Sequence, residues 1–295
     1  MGINIFQVDA FSDKAFGGNP AGVVPDARFL TDEQMQNIAK EMNISETAFV
    51  IPLSDDLFKV RFFTPICEVD LCGHATIGTF FTLAKKGYIK SLYNGKKIVH
   101  QETRVGKLAV EIVFKNGMVD KVFMEQASPK DLGNIDDIEK LLQAMGLTIE
   151  DIGIEDFLVY PRIISTGLPD IILPIKTKEK LDNLNIDMKL LSEVSNDLKV
   201  TGVHAFYLPN LNSDIIYTRN FAPLVGIDEE SATGTANGAL IYYLKKNKFI
   251  QNDQILSYQG ETMNRMSKIY CSINEEWTIK VGGKAKIMID GIISI

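Results

Sequence analysis

The run Ser45-Glu46-Thr47-Ala48-Phe49-Val50-Ile51 places one carboxylate at the mouth of an otherwise apolar strand. A run apolar on both faces is usually buried on both. A carboxylate there is costly unless paired or protonated. Burial is expected to raise its pKa towards the range useful for a general acid or base. A Glu46 that caps a turn in solvent fits the same residues equally well. Next along the chain, Cys72-Gly73-His74 opens a helix without charges. The leading reading of His74 is a core histidine satisfied by backbone; its place at a helix end that attracts anions adds weight to a functional one. Cys72 is a reactive thiol if the helix N-terminus lowers its pKa, and otherwise a small buried side chain, the commoner case. Cys67, Cys72 and His74 match no standard metal spacing and lack a fourth ligand, so no metal is expected. His100 and His204 lie in strand-like contexts with no partner pattern. Asp228-Glu229-Glu230 precedes a second uncharged helix; a solvated acidic turn accounts for at least one of the three.

The elements that must hold these residues come in two copies. Arg61-Phe62-Phe63-Thr64-Pro65 recurs 158 residues later as Arg219-Asn220-Phe221-Ala222-Pro223. Gly73-His74-Ala75 matches Gly234-Thr235-Ala236, and Leu83 to Ile89 matches Leu244 to Ile250, now 161 residues apart. Two copies of strand, glycine turn and helix imply two similar half-molecules. Between Leu71 and Ala84 the only ionisable side chains are Cys72 and His74, and none is charged between Ser231 and Leu244. A helix without a polar face is normally buried all round, here inside a layer of strands. Lys85-Lys86 and Lys245-Lys246 mark the ends that reach solvent. The N-termini then lie inside, at Cys72-Gly73-His74 and Thr233-Gly234-Thr235, with unsatisfied N–H groups and partial positive charge suited to a carboxylate or phosphate. Pseudo-twofold pairing of the halves is expected to aim both ends at one cleft containing Glu46.

Elsewhere, strands are predicted at Ile3–Val8, Thr47–Ile51, Phe58–Thr64, Ile171–Ile175, His204–Leu208 and Ile215–Arg219, and through most of the tail from Gln254. Lys107–Phe114 and Met118–Glu125 read as a hairpin around Asn116-Gly117. Thr31 to Gln34 is a capping box ahead of Met35, Ile38, Ala39 and Met42 at helical spacing. A short amphipathic helix is expected over Ile135, Ile138, Leu141, Leu142 and Met145. Many strands and few helices make an α+β protein. The seam between halves is placed near Gln126–Asp131, giving domains 1–126 and 127–295, with the last strands free to return to the first half.

Composition narrows the function. The chain has 295 residues, 45% of them hydrophobic, and a net charge of −7. That charge argues against a nucleic-acid surface, whose affinity comes from Lys and Arg neutralising phosphates. Three cysteines make no disulfide framework and read as reduced thiols. No secretory start, myristoylation pattern or membrane-spanning apolar run is visible, so a soluble, cytoplasmic protein is expected. The motifs of dinucleotide oxidoreductases, P-loop kinases and α/β-hydrolases do not occur.

Several motifs together resemble the PhzF family, named for an isomerase of phenazine biosynthesis. They are Phe16-Gly17-Gly18-Asn19-Pro20-Ala21-Gly22, Ser45 to Phe49, Arg61 to Pro65, Glu68-Val69-Asp70-Leu71-Cys72-Gly73-His74-Ala75-Thr76, and Phe221 through Ala236. The resemblance implies a diaminopimelate epimerase-like fold, with two pseudo-equivalent halves, each a curved sheet or barrel around a central buried helix. It implies a homodimer, no cofactor, and proton transfer at carbon of a small carboxylate-bearing metabolite. Glu46 matches the glutamate that moves the proton, and His74 an assisting histidine. Glu230 stands where the family has an assisting aspartate, and Thr235 where it has a serine, one methylene and one methyl larger. Asn19, Ser45, Cys72, Gly73, Gly234 and Thr235 are expected to contact substrate. Cys72 also matches one of two cysteines that face each other in epimerase relatives. The candidates opposite it, Glu230, Ser231 and Thr233, are not cysteine, which argues against two-thiol racemisation. A one-base epimerase or dehydratase, or a small-molecule-binding protein without turnover, remains as the alternative.

Overall fold

The computed structural model describes residues 2–295. It divides into two compact units, Met1–Glu125 with Gly282–Ile295, and Gln126–Val281.

In the first unit β1 (Gly2–Ala10) lies antiparallel to β2 (Asn19–Val24), and β2 runs parallel to β3 (Glu46–Pro52). Between them α1 (Asp32–Met42) starts at the expected capping box. The Thr31 hydroxyl accepts the Gln34 N–H and the Gln34 side chain accepts the Thr31 N–H, so two orphan donors are satisfied at once. β3 pairs antiparallel with β4 (Leu57–Phe63), which carries the short β5 (Glu68–Val69) antiparallel on its end. After α2 (Gly73–Lys85) the chain returns in β6 (Gly95–Thr103), parallel to β4, then β7 (Gly106–Lys115) and β8 (Met118–Glu125). The hairpin between β7 and β8 turns on Asn116 and Gly117, both at positive φ as the favoured two-residue turn requires.

α2 is the centre of this unit. Every residue from His74 to Ala84 is buried. Two of its three threonines bond back into the helix, Thr76 to the Cys72 carbonyl and Thr82 to that of Gly78. Its apolar side chains Ile77, Phe80 and Leu83, all fully buried, each contribute about 1.5–3 kcal/mol. Lys85 is exposed, the emergence into solvent that the sequence leads one to expect.

The second unit repeats the plan. β9 (Lys130–Asn134) and α3 (Ile138–Met145) lead into β10 (Arg162–Ser165), antiparallel to β9 and to β11 (Pro169–Pro174). α4 (Lys178–Asp182) and α5 (Met188–Leu198) connect β11 to its parallel neighbour β12 (Gly202–Tyr207). β12 pairs antiparallel with β13 (Ile215–Ala222), which carries the short β14 (Ile227–Glu230). The buried helix α6 (Gly234–Lys246) follows, then β15 (Gln254–Gln259), parallel to β13, and β16 (Ser267–Ile273), antiparallel to β15. β17 (Ile279–Gly283) leads the chain back to the first unit, where β18 (Ala285–Ser294) lies antiparallel to β1.

Strand order and sense therefore agree between the units, down to the one short strand, β5 or β14, before the buried helix. Arg61 grips Glu68 with two hydrogen bonds of 2.8 and 2.7 Å, and Arg219 grips Glu229 in the same way at 2.8 and 2.9 Å. Each guanidinium also covers a phenylalanine two residues on, Phe63 or Phe221. Asp228-Glu229-Glu230 lies in β14 rather than a turn; Asp228 is exposed, as expected of at least one of the three, while Glu229 is committed to this ion pair. The amphipathic helix expected from Ile135 begins at Ile138, capped by Asp137. α5 and β6 were not expected from the sequence.

Candidate active site

Glu46 is the first residue of β3, in register with Ala21 of β2. Four buried residues, Thr47 to Val50, follow it along the strand. β3 lies between β2 and β4, so its position is fixed from both sides. Cys72 is the N-cap of α2, in extended conformation and with no side-chain capping bond; His74 is in the first turn. These elements bring three groups together. His74 Nε2 lies 3.1 Å from Glu46 Oε2, and His74 Nδ1 lies 3.4 Å from Cys72 Sγ. His74 is buried, while Glu46 keeps 17% of its side-chain surface accessible. Glu46 Oε2 is shut off from solvent, and its contact with His74 is an ion pair whose hydrogen-bond alignment is poor.

Charge balance in this cluster differs from the sequence-based expectation. Burial opposes ionisation of Glu46, but His74 outweighs it, with Cys72 and Ser45 adding hydrogen bonds, and the carboxyl sits below its ordinary pKa. Burial likewise opposes a charged His74, yet the neighbouring Cys72 and Glu46 hold it well above 6.5. The resting pair is a carboxylate beside an imidazolium. Cys72 moves the other way. Burial, with the Glu46 charge added, pushes its thiol up to about 11, beyond what His74 and the Ala75 amide can offset. The helix end therefore does not make it a resting thiolate.

The other expected residues of this unit lie close in the chain. Asn19, buried at the start of β2, follows Gly18, whose φ of +70° and whose closeness to the Ala10 carbonyl exclude any side chain. Ser45 is exposed, its hydroxyl 3.4 Å from the Pro20 carbonyl. Gly73 is different: a Cβ there would meet nothing nearer than Met124 Sδ at 3.8 Å, so packing within the unit does not require glycine. Cys67 is exposed in the Thr64–Cys67 turn, apart from the cluster.

In the second unit Thr233 caps α6, again with no side-chain cap to the helix. Its hydroxyl donates to Glu230 Oε2 at 2.6 Å and contacts Asn220 Oδ1 at 3.0 Å. The Thr235 carbonyl accepts from the Thr166 hydroxyl. Beneath α6 lies a buried polar layer that the sequence reading missed: Asp170, His204, Asn220, Asn237 and Gln259. Gln259 ties it together, donating to the Glu230 carbonyl and accepting from Asn237. Burial, with the Glu230 charge added, pushes Asp170 up to about 8. Burial drives His204 down to about 3. The available signal was Asp170 itself, a lone acid in the apolar run Pro169–Pro174. Register shows the divergence of the units: Gly202 opens β12 where Glu46 opens β3, and His204 stands where the first unit has Ala48.

The comparisons with known proteins agree with this geometry. The family model described as phenazine biosynthesis-like protein, PhzC-PhzF, matches residues 8–291. A protein named as an uncharacterized isomerase in Clostridium acetobutylicum is 35% identical, covering 97% of this chain and 96% of its own. A similarly named protein of Escherichia coli, YddE, is 30% identical over 96% of both. The crystal structure of a PhzF-family phenazine biosynthesis protein from Bacillus anthracis superposes with a TM-score of 0.84 at 28% identity, covering 100% of both chains. A hydroxyproline epimerase from Agrobacterium vitis shares the fold, with a TM-score of 0.64, 13% identity, and coverage of 99% of this chain and 91% of its own. Among the described residues no helix is long and apolar enough to cross a membrane. A duplicated plan of strands around a buried helix, a carboxylate–imidazolium pair at one helix end, and a whole-length match leave one assignment: the chain belongs to the phenazine biosynthesis-like PhzC-PhzF family and is an isomerase by class.

Proposed function

We propose that the chain moves a proton at carbon of a small carboxylate-bearing metabolite without a cofactor, with Glu46 as the base and then the acid. The observation that carries this reading is the Glu46 carboxylate, largely buried and held ionised, with Oε2 shut off from solvent 3.1 Å from His74 Nε2. A carboxylate held in such a site can take a proton from a C–H bond placed against it. The uncapped first turn of α2, with Gly73 leaving space beside it, suits the substrate carboxylate. When Glu46 takes the proton, the C–H electrons move into the conjugated system towards that carboxylate. The His74 imidazolium and the helix amides stabilise the charge that develops. Glu46 then returns the proton to a different carbon, completing an isomerisation with no net change in atoms or electrons.

Glu230, Gly234 and Thr235 keep in this reading the assisting and binding roles implied by the resemblance, and Asn19, Ser45 and Cys72 those of substrate contacts. The homodimeric state and cytoplasmic location belong to the same proposal. The test is to incubate a panel of small unsaturated carboxylic acids with the protein in D2O and follow their carbon-bound hydrogens by NMR. Wash-in at a carbon conjugated to the carboxylate, together with a shifted double bond, supports an isomerase. Wash-in with inversion and no bond shift marks a one-base epimerase. Binding without wash-in of any acid that shifts the melting temperature contradicts the proposal.

A further inference from the structure

The three groups at the end of α2 are also arranged as metal ligands. Glu46, Cys72 and His74 each offer one ligand atom, and these atoms lie within 4.8 Å of one another. His74 Nε2 is 3.9 Å from Cys72 Sγ and 3.1 Å from Glu46 Oε2. Tetrahedral zinc, with bonds of about 2.0–2.3 Å, needs ligand separations of roughly 3.4–3.6 Å. Both distances fall within a few tenths of an ångström of that, and the third, between Cys72 Sγ and the Glu46 carboxylate, is within 4.8 Å, so a rotation that draws Cys72 inward brings the three atoms onto one ion. The fourth corner is left for water or a carboxylate, as in open zinc sites.

We infer that Glu46, Cys72 and His74 bind a zinc-class divalent ion that reversibly shuts the enzyme off. The ligand charges suit the ion. A carboxylate, a thiolate and a neutral imidazole on one Zn2+ leave the filled site with no net charge, which removes the usual obstacle to a buried cation. The bound ion occupies the lone pair of Oε2 that would take the substrate proton, so occupancy and turnover exclude each other. This inhibition rests on the proton-transfer reading; the site itself does not.

The test uses Co2+ as a spectroscopic probe on the full chain. Wild type should show a thiolate-to-cobalt band in the near ultraviolet and the strong visible bands of four-coordination. Zn2+ should bleach both, and a chelator should reverse it. The C72S variant should lose the near-ultraviolet band. The C67S/C271S double variant, with Cys72 as sole thiol, should keep it, which guards against a C72S chain that merely misfolds. Absence of the band in wild type, its loss in C67S/C271S, or its survival in a folded C72S protein overturns the site. Metal binding that leaves deuterium wash-in unchanged overturns the inhibition. Because the spectrum is read without substrate, its failure leaves Glu46 standing as the base, and failure of the wash-in leaves the spectrum standing.

Discussion

Two buried carboxyls in this chain have opposite fates, and their neighbours decide it. Glu46 meets an imidazolium and stays ionised; Asp170 meets Glu230 in a dry layer and stays protonated at neutral pH. Asp170 makes a prediction for stability. Below about pH 4 folded and unfolded chains both carry its proton. Between there and its folded pKa of about 8, the unfolded chain has lost the proton and the folded one keeps it. Unfolding then releases a proton, so this group makes stability fall as pH rises, by at most about 1.4 kcal/mol per pH unit. His204, driven down to about 3, acts in the opposite sense below its ordinary value of 6.5 and is silent above it. The D170N variant should therefore show a smaller loss of stability than wild type between pH 6.5 and 8, read from urea midpoints. Parallel curves for the two proteins would show that Asp170 is ionised in the fold.

At the scale of elements, α2 and α6 were legible because an uncharged stretch ending in lysines has one solution in an α+β chain, burial inside a layer of strands. The repeat of Arg-x-Phe-x-Pro was legible too, but not its partner. Glu68 and Glu229 are the acids that Arg61 and Arg219 hold, and each lies across a chain reversal that no local pattern announces. α5 was missed although Asp187 caps it and Leu191, Val194 and Ser195 are its buried face, because the stretch is polar and rich in single apolar residues. The Glu46–His74 pair was suspected from residue types; its ionisation was not, since the sequence shows burial but not the distance to a counter-charge. Gly73 offers a test of the first turn of α2. The G73A variant should fold with stability unchanged or raised by up to about 1 kcal/mol, since glycine is the poorer helix former. It should nevertheless raise the KM of any substrate held by that turn. A G73A protein with wild-type KM would show that the backbone there does not meet substrate.

For the whole molecule, duplication is the organising fact, and it gives each unit the same ion pair under a similar load. Arg219 is only 12% exposed and Glu229 16%. Removing the cation from such a pair strands a largely buried charge and costs on the order of 3 kcal/mol. Trp277, the single tryptophan, belongs to the second unit. The R219M variant should thus lower the denaturation midpoint reported by tryptophan fluorescence. An unchanged midpoint would mean that the pair is a surface contact without structural weight. The units share a framework but not their chemistry. Where the first has Glu46, Cys72 and His74, the second has Gly202, Thr233 and Thr235 at the matching positions. The register of the strands reveals that divergence; the repeat read from sequence alone covers only the better-kept segments.

The central claim is that one carboxylate moves the proton. It is tested most directly by comparing deuterium wash-in by wild type and E46Q, side by side, on an acid that wild type labels. The substitution keeps the size of the side chain and removes the base. Loss of wash-in by E46Q, with a melting temperature nearly unchanged, is the predicted result. Comparable rates for the two proteins would contradict the account and move the search for the base to Cys72 or Glu230.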